Sequence, residues 1–309
     1  MKNPFVSVII PNYNHAKFLE QRIESVLNQS YSNFEIIILD DRSTDNSVAI
    51  IEKYKENEHV SHIVINQENS GSTFKQWKRG FELSSGKLIW IAESDDACSP
   101  ELLQTLVQEF EKDSQCAIAF CRSNKIDING NIIGSDGIDQ DIHMDGRLFI
   151  KKYLCRHNYV ANASSAIFQK KTLSLIDESY SNYRGNGDWL IWIEISRCGN
   201  VAYINKPMNL FRIHNSNTTA KLTYSGKSET EAVKLYKYLR KKKYIGYKEE
   251  LRARIAHAYS IKYGKQNSIF DEVTKEKLLN AWRTNVVIDF INWTIYQTHT
   301  VLGIDIIKR

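Results

Sequence analysis

The apolar positions of the first 120 residues change period in a regular way. Residues 6–10 form a β-branched run, with Ser7 inside it, closed by Pro11, the pattern of a strand buried on both faces. Between Ala16 and Gln29, Phe18, Leu19, Ile23, Val26 and Leu27 recur at helical spacing. Residues 34–39 again read as a buried strand, ending on Asp40-Asp41. Ser43-Thr44-Asp45 then supply cap-type side chains for a helix carrying Ile50, Ile51 and Tyr54. The series continues with a strand at 60–65, a helix near 73–83, a strand at 88–91 and a helix from Pro100 to about 113, proline suiting a first helical turn. Strands alternating with helices predict an α/β fold with a mainly parallel sheet flanked by helices.

After a strand at 117–121 the rhythm changes. Residues 125–133 read as a hairpin around Asn129-Gly130. A short strand at 164–168, an apolar helix at 188–197 and a strand at 201–204 follow, and the polar segment 211–218 closes the mixed region. Beyond about Lys221 the pattern is helical, with no strand signal and no internal repeat. Charge divides at the same place. The net +5 of the 309 residues splits into −4 over residues 1–220 (23 Lys+Arg, 27 Asp+Glu) and +9 over residues 221–309 (18 against 9).

Composition narrows the class. With 42% hydrophobic and 25% charged residues, 14 Gly and 4 Pro, the chain is neither collagen-like nor low-complexity. No apolar run approaches the roughly 18–20 residues that span a bilayer, and the first residues carry no signal-peptide core. Cys98, Cys116, Cys121, Cys155 and Cys198 are odd in number and form no C-x-x-C pair. They are expected as small buried side chains of a cytoplasmic protein rather than zinc or disulfide ligands.

Ligands of a parallel α/β sheet bind outside the carboxyl ends of its strands. The residues at those positions are Pro11-Asn12-Tyr13-Asn14, Asp40-Asp41-Arg42-Ser43, the stretch from Asn66 to Gly71, and Glu93-Ser94-Asp95-Asp96. Three of the four groups carry carboxylates, which repel one another unless a cation compensates. Hard oxygen ligands favour Mg²⁺ or Mn²⁺ over zinc.

Four motifs in order then carry a resemblance: Val6-Ser7-Val8-Ile9-Ile10-Pro11-Asn12-Tyr13-Asn14, Ser25-Val26-Leu27-Asn28-Gln29-Ser30-Tyr31, the run from Glu35 to Asp45, and Ser85-Gly86-Lys87 through Asp96. Together they resemble the family 2 inverting glycosyltransferases of GT-A fold, densely over residues 5–110 and more thinly to about 220. The resemblance implies a Rossmann-like catalytic domain at 1–220, with a nucleotide-binding half to about 120 and an acceptor half beyond, followed by a basic helical region at 221–309. It implies a nucleotide-sugar donor, UDP- rather than dTDP-linked, and a glycan or lipid-linked acceptor in surface polysaccharide synthesis. Tyr13 would stack on the base, Pro11 shape the strand exit, Asp40 accept from the base, and Asn69 and Ser94 lie at the nucleotide. Asp96 would bind Mn²⁺ or Mg²⁺ with His214 nearby, while Asp95 contacts the ribose or shares the metal. Arg212 or a protonated His214 would alternatively pair with phosphate. Asp188, the one acid between Arg184 and Trp192, would be the general base.

The sequence departs from the family pattern at Glu93, where Asp is common, at Trp77, where Arg is common, and at Gly187, where an acid usually precedes the base. Lys75 or Lys78 is the candidate replacement for the missing cation. These departures also support a rival reading, a nucleotide-sugar-binding protein without turnover that assembles a complex through its tail. For the tail itself, Lys237 to Lys243 and the aromatic stretch after Trp282 fit peripheral contact with the inner face of a membrane, a helical cap or a homo-oligomer interface. No nucleic-acid module accompanies the charge.

Overall fold

The computed structural model describes residues 1–160, 162–214, 222 and 224–302, with side chains through residue 296. It divides into two units: Met1–Ile150 with Asn158–His214, and Lys151–His157 with the chain from Asn215 onward.

The first unit opens with the alternation the sequence predicts: β1 (Val6–Asn12), α1 (Ala16–Leu27), β2 (Phe34–Asp40), α2 (Ser47–Glu52), β3 (Val60–Ile65), α3 (Thr73–Leu83), β4 (Leu88–Ile91), β5 (Ala97–Cys98) and α4 (Leu102–Lys112). β1 and β2 are buried along their whole length and are mainly apolar, the internal exceptions Ser7 and Glu35 bonding each other at 2.6 Å, whereas the edge strand β3 is half-exposed. After α4 come β6 (Cys116–Ile126), β7 (Ile132–Asp136), β8 (Ile142–Asp145), α5 (Gly146–Phe149), β9 (Ala166–Gln169), α6 (Gly187–Ser196) and β10 (Asn200–Arg212).

One sheet runs in the order β3-β2-β1-β4-β9-β6-β10-β5, with β7 on β6 and β8 on β10. It is parallel across β3, β2, β1 and β4, where strands and helices alternate, and between β6 and β10. The hairpin around Gly130 and the pairings of β9, β5 and β8 are antiparallel, so the half after β4 is mixed. The register Asn12↔Asp40, together with Ile9↔Ile91, brings the exits of β1, β2 and β4 to one edge. On one face Leu19, Ile23 and Val26 of α1 and Leu103, Leu106 and Phe110 of α4 are buried with Val8, Ile36 and Trp90 of the strands, and on the other α3 packs its Gly80 against Ile9.

β10 is the main departure from expectation. The strand continues through the polar Asn205-Lys206-Pro207 to Arg212, because register shifts at Ile204/Pro207 and Pro207/Asn209 let it keep its pairing with β6. Only the end of the polar segment 211–218 therefore follows the strand, and Asn215 to Thr218 lie outside the described residues. The cysteines are free, with Cys98, Cys116, Cys121 and Cys155 buried.

The second unit contains α7 (Lys227–Lys241), α8 (Tyr247–Lys262), α9 (Glu272–Ala281) and α10 (Val286–Leu302). Its interior is organised around Glu229. That carboxylate accepts from Gln266 Nε2 at 2.6 Å and Trp282 Nε1 at 3.1 Å, and it pairs with His257 Nδ1 at 2.9 Å. The His257 ring stacks on Trp282 with centroids 4.2 Å apart, and Tyr236 donates to the Cys155 carbonyl at 2.6 Å. No helix among the described residues is long and apolar enough to cross a membrane.

Candidate active site

The exit of β1 is tied to that of β2. Asp40 is fully buried, and its carboxylate accepts from Asn12 Nδ2 at 2.7 Å, Ser43 N at 2.8 Å and Ser43 Oγ at 2.6 Å. Ser43 Oγ in turn accepts from the backbone N–H of Asn14, which sits in the left-handed region (φ 56°) and takes the Thr44 N–H on its side chain at 2.7 Å. This knot turns the chain sharply after Asn12. It leaves Tyr13 46% exposed above the sheet edge and delivers His15 to the start of α1. Pro11, by contrast, is buried within β1 opposite Leu39. Asp40 thus spends its oxygens on its own loop, because as the last residue of β2 it faces the Asn12 and Ser43 donors. Asp41 does the same for the next loop, accepting from Asn66, Ser70 and Gln76, and Asn69 donates to the Asp41 carbonyl while accepting the Gly71 N–H.

The Glu93–Asp96 segment points its side chains in different directions. Ser94 is buried, with Oγ 2.8 Å from His15 Nδ1. Asp95 Oδ2 lies 3.0 Å from His214 Nε2, and the ligand-capable atoms of His15, Asp95 and His214 all lie within 4.8 Å of one another. The two imidazoles meet edge-on at 5.7 Å, and Phe18 packs against His214 at 5.3 Å.

Asp96 faces the other way. It is buried, accepting from Asn162 Nδ2, from Ser164 Oγ at 2.6 Å and from Arg212 N at 2.9 Å, with Arg22 Nη2 3.8 Å from its Oδ2. Asp96 was expected at the metal and Asp95 beside it. In this geometry Asp95 joins the histidines, and Asp96 is held among structural donors. Arg212 is likewise buried and occupied: its guanidinium donates to the carbonyls of Asp95 and Asp127 and to Gln21, over the Phe18 ring. It braces the loop through these three bonds.

Electrostatics follow from these partners. Burial opposes ionisation of Asp95, but the His214 hydrogen bond and the charges of His15 and His214 outweigh it and lower its pKa. Burial and repulsion from Asp95 push Asp96 up to about 6 against the pull of Arg22. Glu93 is pushed up to about 8 by burial and by Asp95. Burial lowers His15, partly offset by Asp95, which favours neutral imidazole with a lone pair to offer.

The sequence departures are packing partners. Trp77 Nε1 donates to Glu93 Oε1 at 2.9 Å, so a neutral donor and a longer acid occupy one position together. Neither candidate lysine replaces a cation there: Lys75 donates to the Ser70 carbonyl and Lys78 pairs with Glu178 at 2.7 Å. At Gly187 an added Cβ would lie 2.5 Å from the Tyr180 carbonyl oxygen and 2.7 Å from Phe74 Cε2, so no side chain fits. Asp188 follows as the second residue of α6. Its Oδ1 accepts the Trp189 N–H at 2.7 Å and its Oδ2 accepts from Asn158 Nδ2 at 2.9 Å. Asn186, not Asp188, occupies the N-cap position.

His15 and Arg22 are the site residues the sequence reading missed. His15 stands one residue beyond the Pro11–Asn14 group, where a signal was available: a histidine at the carboxyl edge of a strand. Arg22 sits in the apolar stripe of α1, and only its buried partner explains it.

A parallel half joined to a mixed half in one helix-flanked sheet is the architecture of GT-A glycosyltransferases. Solved structures of that fold superpose accordingly. S. aureus TarS 1–349 in complex with UDP-GlcNAc matches with a TM-score of 0.60 at 15% identity, covering 96% of this chain and 92% of that one. The mannosyltransferase PcManGT of Pyrobaculum calidifontis, in complex with GDP-Man and Mn²⁺, matches with 0.57 at 13% identity over 97% and 81%. The model of glycosyl transferase family 2 matches residues 7–174, and the chain belongs to that family. Chondroitin synthase of Escherichia coli is 29% identical over 218 residues, 71% of this chain but only 30% of the synthase.

Proposed function

We propose that the protein transfers a sugar, with inversion, from a UDP-linked donor to a hydroxyl of a glycan or lipid-linked acceptor during polysaccharide assembly. The carrying observation is the Asp95–His214 pair on the same sheet edge as the exposed Tyr13. TarS bound to UDP-GlcNAc supports the UDP donor, and the synthase relative supports the glycan product. Tyr13 offers its ring to the base. Asp95 and His214 would hold a divalent ion, and the donor set fits one: an ionised carboxylate and an imidazole presented together. Bound there, such an ion neutralises charge developing on the departing diphosphate. Asp188 takes the proton of the attacking hydroxyl as the new C–O bond forms and the bond to the diphosphate breaks, and Asn158 keeps that carboxylate oriented.

The test is transfer from a panel of UDP-sugars with Mn²⁺, with product anomers assigned by NMR. Inversion is expected, and Asp188→Asn should lose transfer while still binding UDP. A retained anomeric configuration, or undiminished transfer by that variant, overturns the assignment of Asp188.

The second unit supports an acceptor at a bilayer surface. On α10, Val286, Val287, Phe290 and Trp293 lie at helical spacing and are each half or more exposed, while Ile288 and Asn292 are buried. This apolar face belongs to a region of net charge +9, which suits an anionic leaflet. Co-sedimentation with phosphatidylglycerol vesicles should exceed that with phosphatidylcholine, and Phe290→Ser with Trp293→Ser should abolish it. Equal sedimentation of that double variant sinks the assignment.

A further inference from the structure

We infer that His15 is a further protein ligand at the metal position beside Asp95 and His214, and that Ser94 fixes which of its nitrogens is offered. The inference rests on the metal-assisted reading given above and extends it to two residues that sit outside the acid–histidine pair.

Asp95 already has one imidazole as its partner, so a second histidine is not needed to satisfy it. His15 is nevertheless brought to the same place by a dedicated construction. The left-handed Asn14, the Asn12–Asp40–Ser43 knot and the Ala16 N–H bonded to Asp45 at 2.9 Å set its backbone. Its carbonyl takes the first N–H groups of α1, from Phe18 and Leu19 at 2.9 and 3.0 Å. Its side chain then meets Ser94, lies edge-on to the second imidazole, and brings a ligand atom within 4.8 Å of those of Asp95 and His214.

Ser94 makes this arrangement directional. Its buried oxygen lies 2.8 Å from His15 Nδ1, and with Nδ1–H donating to it, Nε2 carries the lone pair that coordinates. A metal-bound histidine held through its other ring nitrogen is the usual outer-partner arrangement, and loss of such a partner typically weakens metal binding about 10–100-fold. The chemistry of the set shifts accordingly. A second imidazole moves an otherwise oxygen-rich site towards borderline cations, so affinity should rise from Mg²⁺ through Mn²⁺ to Co²⁺.

The test uses the full chain with UDP present, and Mn²⁺ as the probe. Free Mn²⁺ is followed by its EPR signal, and bound Mn²⁺ by pulsed EPR, which resolves nitrogen couplings from coordinated imidazole. Wild type should show couplings from two imidazoles, and His15→Ala from one, with affinity reduced at least about tenfold. Ser94→Ala should weaken binding by a similar factor, and less Mg²⁺ should displace Mn²⁺ from His15→Ala than from wild type. Couplings from a single imidazole in the wild type overturn the assignment without needing any variant to fold. So does His15→Ala binding Mn²⁺ as tightly as wild type. If wild type binds no Mn²⁺ even with UDP, the metal-assisted reading fails and takes this inference with it, an outcome distinct from the other two.

Discussion

Asp95 and Asp96 are adjacent, and their surroundings predict opposite consequences for the same substitution. Asp96→Asn replaces a carboxylate that accepts from Asn162, Ser164 and Arg212 N and sits 3.8 Å from Arg22 Nη2, with neither charged side chain exposed. Arg22 Nη2 has no hydrogen-bond partner, so the Asp96 charge is its main compensation. Burial already raises the Asp96 pKa to about 6, so loss of the charge is partly relieved; both oxygens accept, however, so an amide N–H₂ must face a donor and Arg22 loses its partner, together about 1–3 kcal/mol. That is an appreciable part of the roughly 5–15 kcal/mol by which domains are stable. Asp95→Asn keeps the group's shape and perturbs one hydrogen bond to His214, for a cost of about 1 kcal/mol. Urea denaturation in EDTA should therefore show a lowered midpoint for Asp96→Asn and a near wild-type one for Asp95→Asn. Mn²⁺ binding with UDP, measured at a temperature where both variants are folded, should reverse the order. Asp95→Asn should lose it, while Asp96→Asn should keep it within about tenfold, allowing for the brace that Arg212 forms between the two residues. Metal binding retained by Asp95→Asn would refute the reasoning. So would a wild-type midpoint for Asp96→Asn together with lost metal.

Further outcomes follow from the same geometry. Glu93, with a pKa of about 8 when folded against 4.5 when unperturbed, holds a proton in the folded metal-free protein that the unfolded chain releases. Stability in EDTA should fall as pH rises from about 4.5 to about 8, and Glu93→Gln should flatten that slope; parallel profiles from pH 5 to 8.5 would contradict the assignment. Glu229 behaves in the opposite sense. Burial alone would raise its pKa, but His257, Gln266 and Trp282 lower it, so its contribution is full above about 4.5 and is lost as pH falls through its folded value. Calorimetry should show the second unit destabilised by Glu229→Gln at pH 7, with a shallower loss on acidification. Gly187→Ala forces a methyl against the Tyr180 carbonyl and should cost about 1–3 kcal/mol in urea unfolding while slowing transfer through displacement of Asp188.

What the sequence reveals here is what periodicity encodes. β1, β2 and β4 are legible because strands buried on both faces are mainly apolar, with only Ser7 and Glu35 breaking the runs, and α1, α3 and α4 because one face of each is buried. β5 is two residues long and β8 carries polar residues, and both exist through pairing with β10. Local pattern holds no trace of such partners. β10 itself reads as a short strand because Asn205-Lys206-Pro207 interrupts its apolar run, although register shifts keep it paired. The site divides along the same line. Strand exits mark where its residues cluster, but they do not say which way neighbouring side chains point. Asp95 and Asp96 are consecutive acids with opposite orientations, and the contact between His15 and Ser94 spans 79 positions of chain.

The departures from the family pattern bear on whether this chain has kept its chemistry. A binding protein without turnover would be expected to lose catalytic groups singly, leaving uncompensated gaps. Here Trp77 and Glu93 are bonded to each other, and each supplies what the other needs: the indole N–H finds a buried acceptor, and the longer acid reaches a donor. Buried polar groups tolerate change only when such partners change with them. Gly187 is different in kind, since the Tyr180 carbonyl and the Phe74 ring already fill the space that a side chain would need. That packing fixes the start of α6, and with it the position from which Asp188 reaches Asn158. The altered positions therefore preserve the shape around the acids rather than dismantling it, which favours the roles proposed for Asp95, His214 and Asp188 over a binding protein without turnover.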